Sequence, residues 1–272
     1  MTTTPAPSTA PGVDSRRWPA VRLTRLTDRP ERRVLLYCVP PTGAGPEFFR
    51  PWVPLCAGFI DLTAAELPGR GARTGEPSIT DVQVGAAALA DVIAADLRRD
   101  PDGLYALFGH SFGGLLAFET TRRLRRFHHT APKLLAISAS PAPQLNALRQ
   151  FVATHLGSGI GKLATVMGWT DPVDGEWDPS LVETVYTPFL ADALALLQHT
   201  HRDEPPLDTR ISAFGGRDDP IVPPESLTGW DVHSTTEVSV RPFPGGHHYL
   251  HTQLPAFLSQ LTHDLLQACR GT

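Results

Sequence analysis

The sequence predicts an α/β fold in which a mostly parallel sheet is covered by helices on both faces. Three observations carry that prediction. Short apolar runs alternate with helical patterns from residue 33 to residue 139 in the order strand, helix, strand, helix, strand, helix, strand. Several of these runs end in glycine- and proline-rich loops, which is where open α/β sheets place their sites. The segment Gly109-His110-Ser111-Phe112-Gly113-Gly114 joins an apolar run directly to the start of a helix. That turn is tight enough that side chains at Gly109 and Gly113 would collide with neighbouring elements.

Taken in order, residues Met1 to about Val13 are Thr, Pro, Ala and Ser with little to bury. A disordered tail over 1–15 is expected, ahead of a single domain over 16–272. Arg33-Val34-Leu35-Leu36-Tyr37-Cys38-Val39 is the first buried strand, ending in Pro40-Pro41-Thr42-Gly43-Ala44-Gly45. A phosphate loop is excluded there because no Gly-Lys-Ser/Thr follows. Pro46 to Cys56 reads as a helix with Phe48, Phe49, Trp52 and Leu55 on one face, shortened by Pro51 and Pro54. Ile60 to Leu67 is the second strand, closed by Pro68-Gly69-Arg70-Gly71. Val82, Ala86, Leu89, Ile93 and Leu97 recur at helical spacing behind a cap at Thr80 or Asp81. Leu104-Tyr105-Ala106-Leu107-Phe108 is the strand before Ser111, and Lys133 to Ala139 is the strand after the next helix.

From Pro141 to about Pro206 the alternation stops. The sequence there is helical with glycine breaks, and Leu190, Ala193, Leu194 and Leu197 form an apolar stripe. Such an excursion between two strands is most simply a lid over the site (141–206), supplied with Phe151, Met167, Trp169, Phe189 and Leu194. The sheet resumes at Arg210-Ile211-Ser212-Ala213-Phe214 and again at Glu237-Val238-Ser239-Val240. A closing helix from about Leu254 to Gln267 has Pro255 in its first turn.

Composition sets bounds on function. With 272 residues, 41% of them hydrophobic, the chain can bury one large core, and a net charge of −4 gives no attraction to nucleic acid or anionic lipid. No stretch approaches a membrane span and no secretion signal is visible, so a cytoplasmic protein is the expectation. A monomer is expected as well. The three cysteines, Cys38, Cys56 and Cys269, lack metal-like spacing and read as small hydrophobes rather than disulfide or zinc ligands. No metal and no bound cofactor is expected.

A serine at the turn after Gly109 presents its hydroxyl at the end of the sheet, with the following N–H at a helix N-terminus, where developing negative charge is favoured. A serine hydroxyl needs a base to take its proton, and the base needs an acid to orient it. Two later loops, each after a predicted strand, provide these in the order Ser, Asp, His, the chain order of the α/β-hydrolase fold. Asp219 or Asp218 is the acid, with Asp219 preferred because the chain must turn away there into Pro220-Ile221-Val222. His247 or His248 is the base, with His247 preferred because Gly245-Gly246 allows close backbone approach. Histidine is common here, with 11 in the chain, so loop context decides. The oxyanion hole needs two donors: the N–H of Phe112 and one from the first strand's loop, for which Thr42 is chosen.

Together, Cys38-Val39-Pro40-Pro41-Thr42-Gly43-Ala44-Gly45, Leu67-Pro68-Gly69-Arg70-Gly71, Phe108-Gly109-His110-Ser111, Leu190-Ala191-Asp192-Ala193-Leu194, Gly215-Gly216-Arg217-Asp218-Asp219-Pro220 and Gly245-Gly246-His247 resemble the type II thioesterases of polyketide and nonribosomal-peptide synthesis. The resemblance runs from about Val34 to the last helix. It implies a stand-alone α/β-hydrolase that removes acyl groups from the phosphopantetheine arm of acyl or peptidyl carrier proteins. It also implies a triad of Ser111, Asp219 and His247, with the oxyanion held by the N–H groups of Thr42 and Phe112. Members of that family often carry Pro-His-Ala-Gly-Gly where this chain has Pro41-Thr42-Gly43-Ala44, methionine where it has Phe112, and an aromatic residue where it has His248. The first two departures touch the oxyanion neighbourhood and bear on which acyl group is accepted. A small-ester esterase or lipase, or a product-releasing thioesterase, would use the same residues. The basic run Arg122-Arg123-Leu124-Arg125-Arg126 is a candidate docking patch for an acidic carrier protein.

Overall fold

The computed structural model describes residues 20–159 and 181–270. Its centre is a seven-stranded sheet with strands β1 (Arg22–Arg25), β2 (Val34–Val39), β3 (Ile60–Glu66), β4 (Leu104–His110), β5 (Leu134–Ser138), β6 (Arg210–Gly216) and β7 (Val238–Phe243). Their spatial order is β1-β3-β2-β4-β5-β6-β7. β1 runs antiparallel to β3 and every other pairing is parallel. This is the mostly parallel sheet of an α/β-hydrolase fold. The tail over 1–15 lies outside the described residues.

β2 is buried at every position and β4 at all but its first. That is why these strands read as continuous apolar runs rather than as alternating ones. Successive side chains still point to opposite faces. Leu35, Tyr37, Val39, Leu107, Leu135 and Ile137 pack under helices α1 (Val82–Leu97) and α2 (Phe112–Arg123). On the other face Leu36, Cys38, Phe108, Ala136 and Phe214 meet Phe49, Trp52 and the C-terminal helix residues Phe257, Leu261 and Leu265. Asp81 is the cap of α1, accepting from the N–H groups of Gln83 (2.7 Å) and Val84 (3.1 Å). A cap of this kind contributes about 1 kcal/mol.

Four boundaries differ from the sequence reading. Pro46–Trp52 is a 3-10 helix that contains Pro51 and ends before Cys56, with Pro54, which has no N–H to donate, just past its end, and Leu55 is 49% exposed rather than on the buried face. The C-terminal helix, called α5 here, spans Leu250–Arg270, so Pro255 sits one turn inside it rather than at its first turn. β6 extends two residues further, through Gly215-Gly216, and β7 starts one residue later and runs three further, to Phe243. β1 escaped the reading altogether: four residues, two of them arginine, at an antiparallel edge carry no hydrophobic period.

Within the 141–206 insertion the described parts include helices α3 (Ala147–Leu156) and α4 (Thr187–Gln198). Met167 and Trp169 lie outside the described residues. On α4 the buried face is Phe189, Asp192, Ala193 and Leu196, whereas Leu194 is 37% exposed. The helix is therefore turned relative to the leucine stripe, and the side chain that turns it inward is an aspartate. Cys38 and Cys56 are buried and Cys269 is half-buried. Burial pushes the Cys38 thiol up and Cys56 to about 11. Among the described residues no helix is long and apolar enough to cross a membrane.

Candidate active site

Ser111 lies between β4 and α2 with φ 55 and ψ −122, outside the regions a serine ordinarily adopts. The strain is imposed by crowding. A Cβ on Gly109 would stand 2.1 Å from the carbonyl oxygen of Gly113, and one on Gly113 would stand 2.3 Å from that of Val39. A Cβ on Gly114 would meet Ser140 at 2.6 Å. Serine at a helix start usually turns its hydroxyl back to cap the helix. Here Ser111 makes no such bond. Its Oγ lies instead 3.0 Å from His247 Nε2.

His247 follows β7 in the Gly245-Gly246 turn. Its Nδ1 is 2.8 Å from Asp219 Oδ2. An ionised carboxylate only accepts, so the proton sits on Nδ1 and Nε2 is left to accept from Ser111. Asp219, after β6, is anchored through its other oxygen by the N–H groups of Ile221 (2.8 Å) and Val222 (2.9 Å). A Cβ on Gly216 would come within 2.2 Å of the Gly246 carbonyl oxygen, so the loops that carry Asp219 and His247 touch through bare backbone. Ser111, Asp219 and His247 are 2%, 4% and 6% exposed. Asp218 is exposed and contributes its N–H to the Gly245 carbonyl (3.0 Å). His248 is half-buried, its ring stacked on His251. The structure therefore brings together Ser111, Asp219 and His247 and leaves Asp218 and His248 beside them.

The loop after β2 lies against the start of α2, because Val39 pairs with Gly109 in the sheet. Ala44 N–H donates to Pro41 C=O (3.0 Å) and Gly43 has φ 73, the geometry of a type II turn with glycine in its third place. Thr42 is buried in that turn. Among the described residues neither Thr42 N–H nor Phe112 N–H donates to another group. The N–H of Gly43 is engaged, 2.7 Å from Asp192 Oδ2.

Two features escaped the sequence reading. Arg70 and Asp192 form a buried ion pair, Nη1 to Oδ2 at 2.7 Å and Nη2 to Oδ1 at 2.8 Å, at 1% and 0% side-chain exposure. The available signal was an aspartate inside the apolar pattern of α4. The second is a chain behind these three residues: His110 Nδ1 is 2.9 Å from Ser138 Oγ, which is 2.7 Å from Tyr249 OH. Burial, reinforced by His247, His248 and His251, holds His110 well below the usual histidine range, so its ring is neutral. Among the described residues no group of His, Cys, Asp and Glu could hold a metal ion.

The arginine run does not front the site. Arg122 is 4% exposed and bonds to Glu119, Glu204 and the carbonyl of Arg202. Arg125 donates to the carbonyls of Pro205 and Pro206, both at 2.8 Å. Arg123 and Arg126 flank the exposed ring of Phe127. Twelve helical residues carry this run about 18 Å along α2 from Ser111.

Residues 35–265 match the family model described as Thioesterase domain. The chain belongs to this family. A curated relative, the gramicidin S biosynthesis protein GrsT of Aneurinibacillus migulanus, is 28% identical over 222 residues, 80% of this chain and 84% of its own. Among solved structures, the type II thioesterase BorB of the borrelidin biosynthetic cluster is 28% identical with a TM-score of 0.73, covering 91% of this thioesterase and 97% of BorB. RedJ, a thioesterase of the prodiginine pathway in Streptomyces coelicolor, is also 28% identical with a TM-score of 0.73, covering 87% and 88%. YbtT, a type II thioesterase from the yersiniabactin NRPS/PKS biosynthetic pathway, is 25% identical with a TM-score of 0.73, covering 90% of this thioesterase and 98% of YbtT.

Proposed function

We propose that this thioesterase is a stand-alone type II enzyme that hydrolyses acyl thioesters from the phosphopantetheine arm of carrier proteins, with Ser111 as nucleophile, His247 as base and Asp219 as its orienting acid. The observation that carries the reading is the unbroken chain from Ser111 Oγ to His247 (3.0 Å) to Asp219 (2.8 Å). Ser111 Oγ attacks the thioester carbonyl as its proton passes to Nε2. The imidazolium so formed is held by Asp219, whose side chain is already held in place by two backbone N–H groups. The oxyanion is received by the N–H groups of Phe112 and Thr42, the former aided by the N-terminus of α2. Collapse expels the thiol, which takes the proton from His247. Water then attacks the acyl-enzyme with His247 again as base, releasing the acid and restoring Ser111.

In this reading the 141–206 insertion is a lid on a single domain over 16–272. A small recess is lined by the apolar side chains of Leu115, Ala142, Leu148 and Leu196 together with Asn146, Arg149 and His199, and Leu115 stands four residues after Ser111. In this reading the acyl chain extends from Ser111 toward that recess. The test is the ratio of turnover on an acyl carrier protein to turnover on a soluble ester of the same acyl group. A carrier-directed thioesterase favours the first by at least tenfold in kcat/KM. Equal rates would make it a general esterase.

A further inference from the structure

A fully buried aspartate on an otherwise apolar helix face needs partners, and those of Asp192 come from two different loops at the sheet's carboxyl edge. Arg70, in the turn after β3, makes a two-pronged pair with both carboxylate oxygens. Gly43 N–H, in the turn after β2, donates to Oδ2 at 2.7 Å. Arg70 Nη1 also reaches the carbonyl of Ala44 (3.4 Å). A Cβ on Gly43 would stand 3.4 Å from Phe189 Cα, so the turn lies directly on α4. Type I and type II turns differ by rotation of their middle peptide, here Thr42–Gly43. An acceptor fixed opposite Gly43 N–H selects one orientation and sets the distance between the turn and the rest of the site.

We propose that Asp192, held by Arg70, is the positioning residue of the oxyanion loop, fixing the Thr42 turn against Ser111 through the hydrogen bond it accepts from Gly43. This rests on the reading of Ser111 as nucleophile and Thr42 N–H as oxyanion donor. A displacement of about 1 Å in a reacting arrangement costs on the order of 10²-fold in rate, so an anchor one residue from the donor is enough to matter. Because Asp192 belongs to α4, the oxyanion hole is complete only while α4 is seated.

Removing one partner alone would strand a buried charge, so the test changes both. R70M/D192L replaces the pair by apolar side chains, an exchange that buried pairs tolerate, and removes the acceptor for Gly43 N–H. R70M/D192N also removes the ion pair but retains a side-chain oxygen to accept it. Each is assayed with a hexanoyl N-acetylcysteamine thioester and with hexylboronic acid, which forms a tetrahedral anion on the nucleophile. In R70M/D192L kcat falls on the order of 10²-fold with KM little changed, and the boronate weakens by a similar factor. R70M/D192N recovers most of both losses. R70M/D192A makes the same comparison should the leucine variant fail to accumulate. The proposal is overturned if the acceptor-free variant keeps kcat within about threefold of wild type, if the loss falls on KM, or if R70M/D192N is equally impaired. The wild-type boronate adduct separates the two levels: its absence from Ser111 removes the nucleophile assignment itself, whereas its presence with insensitive variants removes only the anchor.

Discussion

Ser111 holds a backbone conformation that costs on the order of 1–3 kcal/mol, and its neighbours leave it no alternative. A methyl group on Gly113 would overlap the carbonyl oxygens of Val39 and Pro40 at 2.3 and 2.4 Å, both of them backbone atoms that cannot swing aside. Gly113→Ala is therefore expected to lower stability by about 3 kcal/mol or more, read as a fall in the urea midpoint. The contrast between adjacent residues is sharper still. Asp219→Asn should reduce kcat about 10⁴-fold, since its carboxylate orients His247, while Asp218→Asn, exposed and bonded through its backbone, should change it less than about tenfold. His247→Ala against His248→Ala should repeat that pattern. Steady-state rates on one thioester decide all four. Away from the triad, His233 donates through Nε2 to Gln144 Oε1 (2.6 Å), and burial lowers its pKa from 6.5 to about 4. The unfolded chain then binds the extra proton between those values, so this group's contribution to stability falls as pH drops from 6.5 to about 4. Urea midpoints across that window should decline less steeply in His233→Phe, and an unchanged slope would discount the group.

At the scale of elements, α4 does two jobs: its apolar side chains seat it on the domain and its aspartate reaches the loop after β2. Ala193, part of the leucine stripe in the sequence, is 1% exposed within the core, so enlarging it would overpack the helix rather than reshape a pocket. Leu148 on α3 is the better probe, because it lines the recess with Leu115 and Leu196. Leu148→Ala should shift preference toward longer acyl chains by severalfold in kcat/KM. A flat profile across chain lengths would place the acyl chain elsewhere. The arginine-rich end of α2 has a structural role. Arg122 ties the helix to Glu204 and the carbonyl of Arg202, and is 4% exposed. Arg122→Ala should cost about 3 kcal/mol by leaving the carbonyl of Arg202 without its donor and the buried Glu119 with His199 but no arginine beside it, with little change in KM for a carrier-bound substrate. A KM effect without a stability effect would restore the docking role.

Across the molecule, what was legible in the sequence is what local pattern encodes. The five central strands are buried on both faces, so they read as apolar runs. That Ser111, Asp219 and His247 come together was legible because each sits in a glycine-bounded loop after a strand, and loop context survives in one dimension. What stayed hidden depends on partners distant along the chain. Nothing near Asp192 reveals that Arg70, 122 residues away, waits for it, and nothing in β1 reveals its edge against β3. Pro255 misled for a related reason: the helix begins where the His247 turn ends, not where a proline would best start it. The central claim is that a carrier-bound acyl group passes through Ser111. Rapid mixing with an acyl carrier protein, acid quench and peptide mass spectrometry test it directly. The account predicts an acyl adduct on the peptide containing Ser111 that forms and decays within turnover and is absent from Ser111→Ala; an adduct on another residue, or undiminished hydrolysis by that variant, would contradict it.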